Sequence, residues 1–276
     1  MNDVMSIALA VKLEQSETEM LSSRMQAFKK IAGNPMGVEI CSFGNTIAFL
    51  AKMMPGPAFN TVRGLGIDDI DKIVTIINHY DSKKISPQFV INPAQVSKEL
   101  CFELSRNSLC QTSFHSMLYG SIDQCMGQHT NKSIVCRKLG KNEFDLYAEI
   151  YINSFGMPTS LQEGVAQNNS VLSDEEQWQF FIAEWNGEPA GVAVVFTDKS
   201  IAVLASAATL PEYRGRGIHR ELIQARLEHV FLKGYRLISG QAAFGSTSQK
   251  NMERAGMKIA YTKSIWTEIT KKDHLL

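Results

Sequence analysis

Apolar residues near the N-terminus recur with the period of a helix, and polar residues on either side mark the helix ends. Leu21, Met25 and Phe28 lie three or four positions apart, so they share one helix face. Ser16-Glu-Thr-Glu19 has the form of a capping box, whereas Gly33-Asn-Pro35 cannot continue a helix. The pattern therefore predicts a first helix that begins near Ser16 and stops before Gly33.

Short apolar runs with strand character follow, and helical patterns separate them. Turn-forming residues such as Gly44 divide the runs. The first half thus has the order helix, hairpin, strand, helix, strand, helix, strand. The pattern predicts a hairpin over 38–43 and 46–51, strands near 59–62, 88–91 and 109–118, a helix over 68–80, and a helix that Asn92-Pro93 caps and that runs to about 106.

The second half repeats this order after a polar stretch without periodicity at 120–132, where we place a domain junction. Its strongest local signal is Asn186-Gly187 between two apolar runs, which predicts a hairpin. The predicted strands cover 133–138, 179–185, 190–196, 201–210, 235–242 and 257–266; the predicted helices cover 143–155, 218–233 and 246–256, with helix or loop at 162–173.

Similar turns connect a strand to a helix in the two halves. Arg63-Gly-Leu-Gly-Ile67 in the first half resembles Arg214-Gly-Arg-Gly-Ile218 in the second. We interpret the chain as an internal duplication, with a degenerate first domain at 1–128 and a second domain at 132–276. The predicted fold class is α/β, in the α+β arrangement: two tandem domains, each with a mixed, mainly antiparallel sheet flanked by helices.

The charge composition excludes partners that need a strong electrostatic field. Lys plus Arg and Asp plus Glu each number 28, and the sequence pI is about 7.0, so no net charge attracts nucleic acid or an anionic membrane. The sequence has no apolar run of the ~18 residues that a membrane span needs, and the apolar segment 5–11 lacks the preceding basic residues of a signal peptide. We therefore expect a cytoplasmic protein that binds neither nucleic acid nor membrane.

The cysteines and histidines lack the spacing of disulfide or metal motifs. The five cysteines are odd in number and include no Cys-x-x-Cys pair, which is typical of reduced thiols in a cytosolic protein. The six histidines show no His-x-x-x-His or similar spacing. The sequence therefore predicts no metal.

The strand-to-helix turn of the second half has the composition of an anion site. Gly215 and Gly217 let main-chain N–H groups approach an anion, and the new helix adds unpaired donors and a partial positive charge. Arg214, Arg216 and Arg220 add cationic donors. A purely structural turn is the alternative interpretation. A Walker loop would need Gly-Lys-Ser/Thr, and a dinucleotide fingerprint would need glycine in place of Arg220, so both are excluded.

The segment Arg214-Gly-Arg-Gly-Ile-His219 resembles the Arg/Gln-x-x-Gly-x-Gly/Ala signature of the GNAT superfamily of N-acetyltransferases, whose loop holds the pyrophosphate of acetyl coenzyme A. The likeness extends through Ala208–Gly217 and Gly245–Tyr261, and covers the first half more loosely through Phe59–Gly66. The chain is similar to a branch of GNAT proteins with a GNAT-like N-terminal half. The resemblance implies an acyltransferase that uses acetyl-CoA and acetylates a primary amine.

The resemblance also implies which residues bind the coenzyme. In this fold the strand before the loop separates from its neighbour, which leaves main-chain groups free for the pantetheine arm. The following helix carries Ser and Asn near the coenzyme in this branch. The implied coenzyme-binding residues are Ala207, Ala208 and Thr209 on the strand, Arg214, Gly215, Arg216, Gly217, Ile218, His219 and Arg220 at the turn, and Ser248 and Asn251 on the following helix.

The first-half turn lacks the extra arginines of the second, so we expect coenzyme to bind only in the second half. Leu65 stands where the second half has Arg216, and Asp68 and Asp69 follow where a phosphate would arrive. Acidic residues in a first helical turn are favourable caps. This pattern favours a structural role for the first half.

The second half departs from the family pattern at positions that matter for catalysis. His219 occupies the third small position of the signature, and Gly245 and Met252 stand where many GNAT enzymes carry Asn and a thiolate-protonating Tyr. The strand over 201–210 contains no Asp or Glu, so Ser206, a weak base, or an ordered water would take the amine proton.

These departures leave two functions open. The first is N-acetyl transfer to an amino acid, polyamine, aminoglycoside or protein N-terminus. The second is a catalytically inactive CoA-binding regulatory or partner-binding module. The sequence allows either a monomer or a homodimer.

Overall fold

The computed structural model describes residues 5–54, 56–127 and 131–269. The helices are α1 (Ile7–Lys30), α2 (Ile73–Ser82), α3 (Lys98–Arg106), α4 (Ile122–Cys125), α5 (Phe144–Phe155), α6 (Gln162–Ser170), α7 (Ile218–Leu232) and α8 (Thr247–Arg254). The strands are β1 (Val38–Phe43), β2 (Thr46–Ala51), β3 (Thr61–Arg63), β4 (Gln88–Ile91), β5 (Leu109–Ser121), β6 (Ile134–Lys138), β7 (Trp178–Trp185), β8 (Glu188–Thr197), β9 (Ile201–Thr209), β10 (Leu237–Ala243) and β11 (Lys258–Glu268). Short 3-10 turns lie at Pro57–Phe59, Ile67–Lys72, Thr159–Leu161, Val171–Asp174 and Pro211–Tyr213.

The chain forms two compact units. Unit 1 comprises Met1–Met117 and Ala260–Leu276, and unit 2 comprises Leu118–Ile259. The division predicted from the duplication was 1–128 and 132–276, and residue 128 lies outside the described residues. The structure differs from that division at the C-terminus, because most of β11 lies in unit 1.

The sheet of unit 1 has the strand order β1-β2-β3-β4-β11-β5. Strand β3 runs parallel to β4, whereas β1 with β2, β2 with β3 and β4 with β11 are antiparallel. Trp266 of β11 lies opposite Phe89 of β4, and both side chains pack in the same apolar cluster. Burial of an aromatic side chain of this size holds β11 in unit 1.

The sheet of unit 2 has the order β10-β9-β8-β7-β6, antiparallel except for the parallel pair β10 and β9. Helix α7 covers it with Leu222, Ile223 and Leu227, which are fully buried. At positions 186 and 187 the β7–β8 hairpin turns through two residues with positive φ, the geometry that Asn-Gly favours. A mixed sheet flanked by helices confirms the predicted α/β class.

Three helix starts differ from the sequence-based prediction. Helix α2 begins at Ile73 rather than at 68, because a 3-10 turn occupies Ile67–Lys72. Helix α1 begins nine residues before Ser16, because the Ser6 side chain accepts a hydrogen bond from Leu9 N and caps the helix there. Ser16 lies inside the helix and donates to Leu13 O. Helix α3 is capped by Ser97 rather than by Asn92-Pro93. In the described residues, no helix combines the length and apolar character needed to cross a membrane.

Candidate coenzyme-binding site

Strand β9 separates from β10 part-way along its length. Among the described residues, the two strands pair at Ile201, Ala202 and Val203 of β9, and no recorded pair follows Val203. From Leu204 to Thr209 the recorded pairs of the strand, within the described residues, are with β8 on its other side. The edge of β9 beyond Val203 therefore offers main-chain groups that the sheet does not use.

A β-bulge lies on the same stretch of β9. Ala193 of β8 faces Ala207, whereas Val195 faces Leu204, so two residues of β9 oppose one of β8 between them. The buried Arg226 side chain of α7 donates to Val194 O at 3.2 Å, opposite the bulge. Bulges bend a strand and occur often beside active sites, and this one lies where β9 leaves β10.

Helix α7 begins at a turn that only glycine adopts readily. Gly215 has φ +77° and Gly217 has φ +92°, values that cost an L-residue free energy. A Cβ at Gly215 would meet no atom within 4 Å, and one at Gly217 would meet only Ile134 Cδ1 at 3.8 Å. No side chain of the described residues is recorded as capping the helix at Gly217, so its first N–H groups are available to an anion.

These elements enclose a cavity of about 670 Å³, within the usual size of small-molecule sites. Its charged lining residues are Arg214, Arg220 and Arg254. No carboxylate is among the described residues that line it. The cavity therefore favours an anionic ligand.

A chain of hydrogen bonds fixes the side chains on the α8 wall of the cavity. Arg254 Nη1 donates to Asn251 Oδ1 at 3.1 Å, which turns the Asn251 amide nitrogen toward His219 Nδ1, 3.1 Å away. An amide nitrogen only donates, so Nδ1 accepts and the ring proton of neutral His219 lies on Nε2. Burial, with a smaller contribution from Arg226, lowers the pKa of His219 to about 4. His219 is therefore a neutral hydrogen-bond donor at pH 7.

Most of the residues implied by the resemblance line this cavity. Arg216 does not, because its guanidinium lies over the rings of Trp185 and Tyr213, at 5.2 and 5.6 Å from their centroids. Ser206 lies in the bulge and is half-buried, but it does not line the cavity. The implied residues that line it are Ala207, Ala208, Thr209, Arg214, Gly215, Gly217, Ile218, His219, Arg220, Ser248 and Asn251.

The cavity also contains residues that the sequence did not indicate. Ser154 and Phe155 come from the end of α5, and the Arg214 side chain bonds to Ser154 O and Thr209 O. Arg254 follows Asn251 by three positions, so it lies on the same helix face; that spacing could have revealed it. Tyr213 and Thr247 complete the additional lining residues.

The turn of the first half has a different local structure. Gly66 has φ −136°, an extended value that needs no glycine, and the Leu65 side chain is buried in the core. The Asp69 carboxylate accepts hydrogen bonds from Asn45 N and Thr46 Oγ1, so it supports the β1–β2 turn. These contacts give the first-half turn a structural role.

Residues 144–255 match the profile of the family described as "Acetyltransferase (GNAT) family". This segment contains the bulged strand, the glycine turn and the whole cavity lining. The chain carries a GNAT acetyltransferase domain. A GNAT fold of this kind serves acyl transfer.

The GNAT assignment agrees with comparisons to solved structures. The chain is similar to a GCN5-related N-acetyltransferase from Kribbella flavida, with a TM-score of 0.64 and 11% identity over 91% of this chain and 95% of that one. It is also similar to a tandem GNAT protein from the clavulanic acid biosynthesis pathway, with a TM-score of 0.64 and 12% identity over 89% and 86% of the two chains. At these identities the likeness shows the fold alone. No curated protein matches the chain.

Proposed function

We propose that the GNAT domain binds acetyl coenzyme A in this cavity and transfers its acetyl group to a primary amine. The observation that carries the proposal is the coincidence of a released strand edge with an uncapped Gly-x-Gly helix start. A helix start of this kind binds a phosphate group, and a free strand edge can bond the amides of an extended arm. A ligand that carries both groups needs the two surfaces side by side. The family match supports the same ligand.

The residues of the cavity fit the phosphate and pantetheine parts of the coenzyme. The first N–H groups of α7, together with Arg220 and Arg254, would hold the phosphates. The edge of β9 at Ala207, Ala208 and Thr209 would bond the amides of the pantetheine arm. Because the lining is cationic and no carboxylate opposes it, the fit is electrostatic as well as steric.

When bound, the coenzyme supplies an acetyl group activated as a thioester. The protein holds this group beside the amine, and such orientation can lower the barrier by about 7–11 kcal/mol. Main-chain N–H groups on the free edge of β9 would donate to the thioester carbonyl oxygen as it gains negative charge. In the transfer the nitrogen would form a bond to the carbonyl carbon, the C–S bond would break so that coenzyme A leaves as a thiolate, the amine would lose its proton, and the thiolate would gain one to become the free thiol.

The described cavity lining offers no group that takes this proton at neutral pH. It contains no carboxylate, and Asn251 already donates to His219 Nδ1. The Met252 side chain, at the position where tyrosine is common in the family, is buried in the core. We therefore assign the proton to water, with Ser206 as at most a weak local base.

The test is release of free thiol from acetyl-CoA in the presence of a panel of amines: amino acids, polyamines, aminoglycosides and peptide N-termini. At least one amine should give steady thiol release above the rate without protein. If acetyl-CoA binds but no amine of any class is acetylated, the chain is the coenzyme-binding module without catalysis.

The pH dependence of the reaction follows from the missing base. For the amine that the panel identifies, log kcat/KM should rise with unit slope up to the pKa of that amine, because only the free amine attacks. His219 adds no change of slope to this pH profile between pH 6 and 7, since its pKa is about 4. A limb near pH 6–7 that disappears in a single variant would contradict water as the base.

Two arginines at the turn should differ in their contribution to coenzyme affinity. Replacing Arg220 with alanine removes a cation from the cavity, and hydrogen bonds to charged groups contribute about 1.5–3 kcal/mol, so Kd should rise by roughly 10- to 150-fold. Arg216→Ala is the matched control, because that side chain lies over Trp185 and Tyr213. Its Kd, measured by calorimetric titration, should change by less than about threefold. If both variants lost the same affinity for the coenzyme, the proposed positions of the two arginines would be wrong.

A further inference from the structure

Three side chains of different metal-binding types meet on the outer part of unit 1. Glu39 and Cys41 alternate on β1, so they share one face of the strand. His79 lies in the last turn of α2. The ligand atoms of all three lie within 4.8 Å of one another. No short sequence motif joins them, because two come from a strand and the third from a helix about forty residues later.

The distances suit a tetrahedral ion. His79 Nε2 lies 3.7 Å from Cys41 Sγ and 3.3 Å from the Glu39 carboxylate oxygen Oε2. Zn²⁺ bonds of about 2.3 Å to sulfur and 2.0–2.2 Å to nitrogen and oxygen, at tetrahedral angles, separate sulfur from nitrogen by about 3.6 Å and nitrogen from oxygen by about 3.4 Å. Both measured separations therefore suit one ion, and the third, from sulfur to the carboxylate oxygen, is within 4.8 Å.

One hydrogen bond of the His79 ring does not engage both of its neighbours. Nε2 of a neutral ring carries either a proton or a lone pair, so it makes a good hydrogen bond to one neighbour and not to both. The other Glu39 oxygen, Oε1, accepts from Lys83 Nζ at 2.7 Å. Lys83 thereby holds the carboxylate with Oε2 toward His79, as outer-shell partners do in metal sites.

The ring of His79 is also held in place by its neighbours. The Phe43 ring lies 6.2 Å from it in edge geometry, and the Tyr80 ring lies 6.1 Å away. All three ligand side chains are half-buried. A metal ion could therefore enter from solvent and keep one position open for water.

We propose that Glu39, Cys41 and His79 form a binding site for Zn²⁺ in unit 1. One thiolate, one imidazole and one carboxylate are the ligand types that Zn²⁺ accepts, whereas Mg²⁺ and Ca²⁺ prefer oxygen alone. The sequence predicted no metal because it shows none of the usual spacings. This site is independent of the proposed acetyl transfer.

Binding should release a proton from Cys41. A cysteine thiol has an ordinary pKa of about 8.5, so it is mostly protonated at neutral pH. On binding, the S–H bond breaks, sulfur bonds to the ion, and the proton passes to solvent.

The test uses Co²⁺ as a coloured probe for the Zn²⁺ site in the full-length, reduced and metal-free protein. Titration should produce a thiolate-to-cobalt charge-transfer absorption that saturates near one equivalent and disappears when Zn²⁺ is added. Cys41→Ser should abolish this absorption. Cys101→Ser is the matched control, because Cys101 is also half-buried against the same apolar cluster, and it should leave the absorption unchanged.

His79→Gln gives a second measurement that does not depend on the cysteine variant. Loss of a ligand should weaken Co²⁺ binding by more than the roughly 10- to 100-fold caused by loss of an outer-shell partner. The proposal is overturned if the native protein shows no charge-transfer band, if Cys41→Ser keeps it, or if His79→Gln binds Co²⁺ with native affinity.

Discussion

Replacing Gly217 with glutamate is expected to abolish coenzyme binding. The substitution places a negative charge at the start of α7, where the proposed phosphates would lie. Juxtaposed like charges cost several kcal/mol, and each 1.4 kcal/mol is a factor of ten in Kd. Calorimetric titration with acetyl-CoA should therefore show a loss of at least about a hundredfold.

Two controls separate charge from backbone strain and from position. Gly217→Ala introduces the same strain at φ +92° but no charge, and its Cβ meets only Ile134 at 3.8 Å; its affinity loss should be much smaller than that of the glutamate variant. Gly66→Glu places the same charge at the matching turn of the first half and should leave affinity unchanged. If Gly66→Glu weakened binding as much as Gly217→Glu, coenzyme would not bind in the second half alone.

Replacing Glu14 with glutamine is expected to destabilise unit 1 by about 3–5 kcal/mol, the usual cost of breaking a buried ion pair. Glu14 is 6% exposed and holds two buried cations, Arg63 at 3.1 Å and Lys263 at 2.9 Å. Glutamine would leave both cations without their anion. Denaturant unfolding at neutral pH, followed as the change in midpoint at constant slope, measures the loss.

Glu17 provides a matched control on the same helix, because its carboxyl is buried but lacks a hydrogen-bond partner among the described residues. Burial raises the pKa of Glu17, and replacing its carboxyl with an amide of the same size breaks no hydrogen bond among the described residues. Glu17→Gln should therefore change the free energy of unfolding by less than about 1.5 kcal/mol. If Glu17→Gln lowered the free energy of unfolding as much as Glu14→Gln does, the two carboxyls would not differ in the way described.

The two carboxyls should also have opposite pH dependence. Burial alone would raise the pKa of Glu14, but Lys263 and Arg63 outweigh it and hold the value at about 2. Its contribution is complete above pH 4.5 and is lost as pH falls toward 2, so the Glu14→Gln deficit should shrink in acid. Because the pKa of Glu17 is raised, this carboxyl contributes stability at low pH that is lost as pH rises. The free energy of unfolding of Glu17→Gln should therefore increase relative to that of the native protein as pH rises.

Local chemistry in the sequence predicted most elements of the fold, and long-range contacts explain the exceptions. The hairpin at Asn186-Gly187 and the strand over 88–91 were predicted correctly because their turn residues and apolar runs act locally. The start of α1 was missed because the prediction relied on the capping box at Ser16, whereas Ser6 caps the helix and Ser16 lies inside it. The position of β11 depends on Trp266 packing beside Phe89, a contact that no local pattern encodes.

The same distinction applies to the candidate sites. The glycine turn was visible because a positive φ demands glycine. The direction of Arg216 was not visible, since it depends on Trp185 from a separate strand. Glu39, Cys41 and His79 likewise meet only once β1 and α2 are packed.

The position of β11 constrains the order in which the chain can fold during synthesis. Most residues of unit 1 precede unit 2 in the sequence, but the strand between β4 and β5 is made after unit 2. At about 5–20 residues per second, residues 118–259 take about 7 to 30 s to translate. Throughout that interval the edges of β4 and β5 lack their partner and are exposed to mispairing. Unit 1 can therefore be completed only after residues 118–259 have been synthesised, and a nascent chain that stops before β11 leaves both edges open.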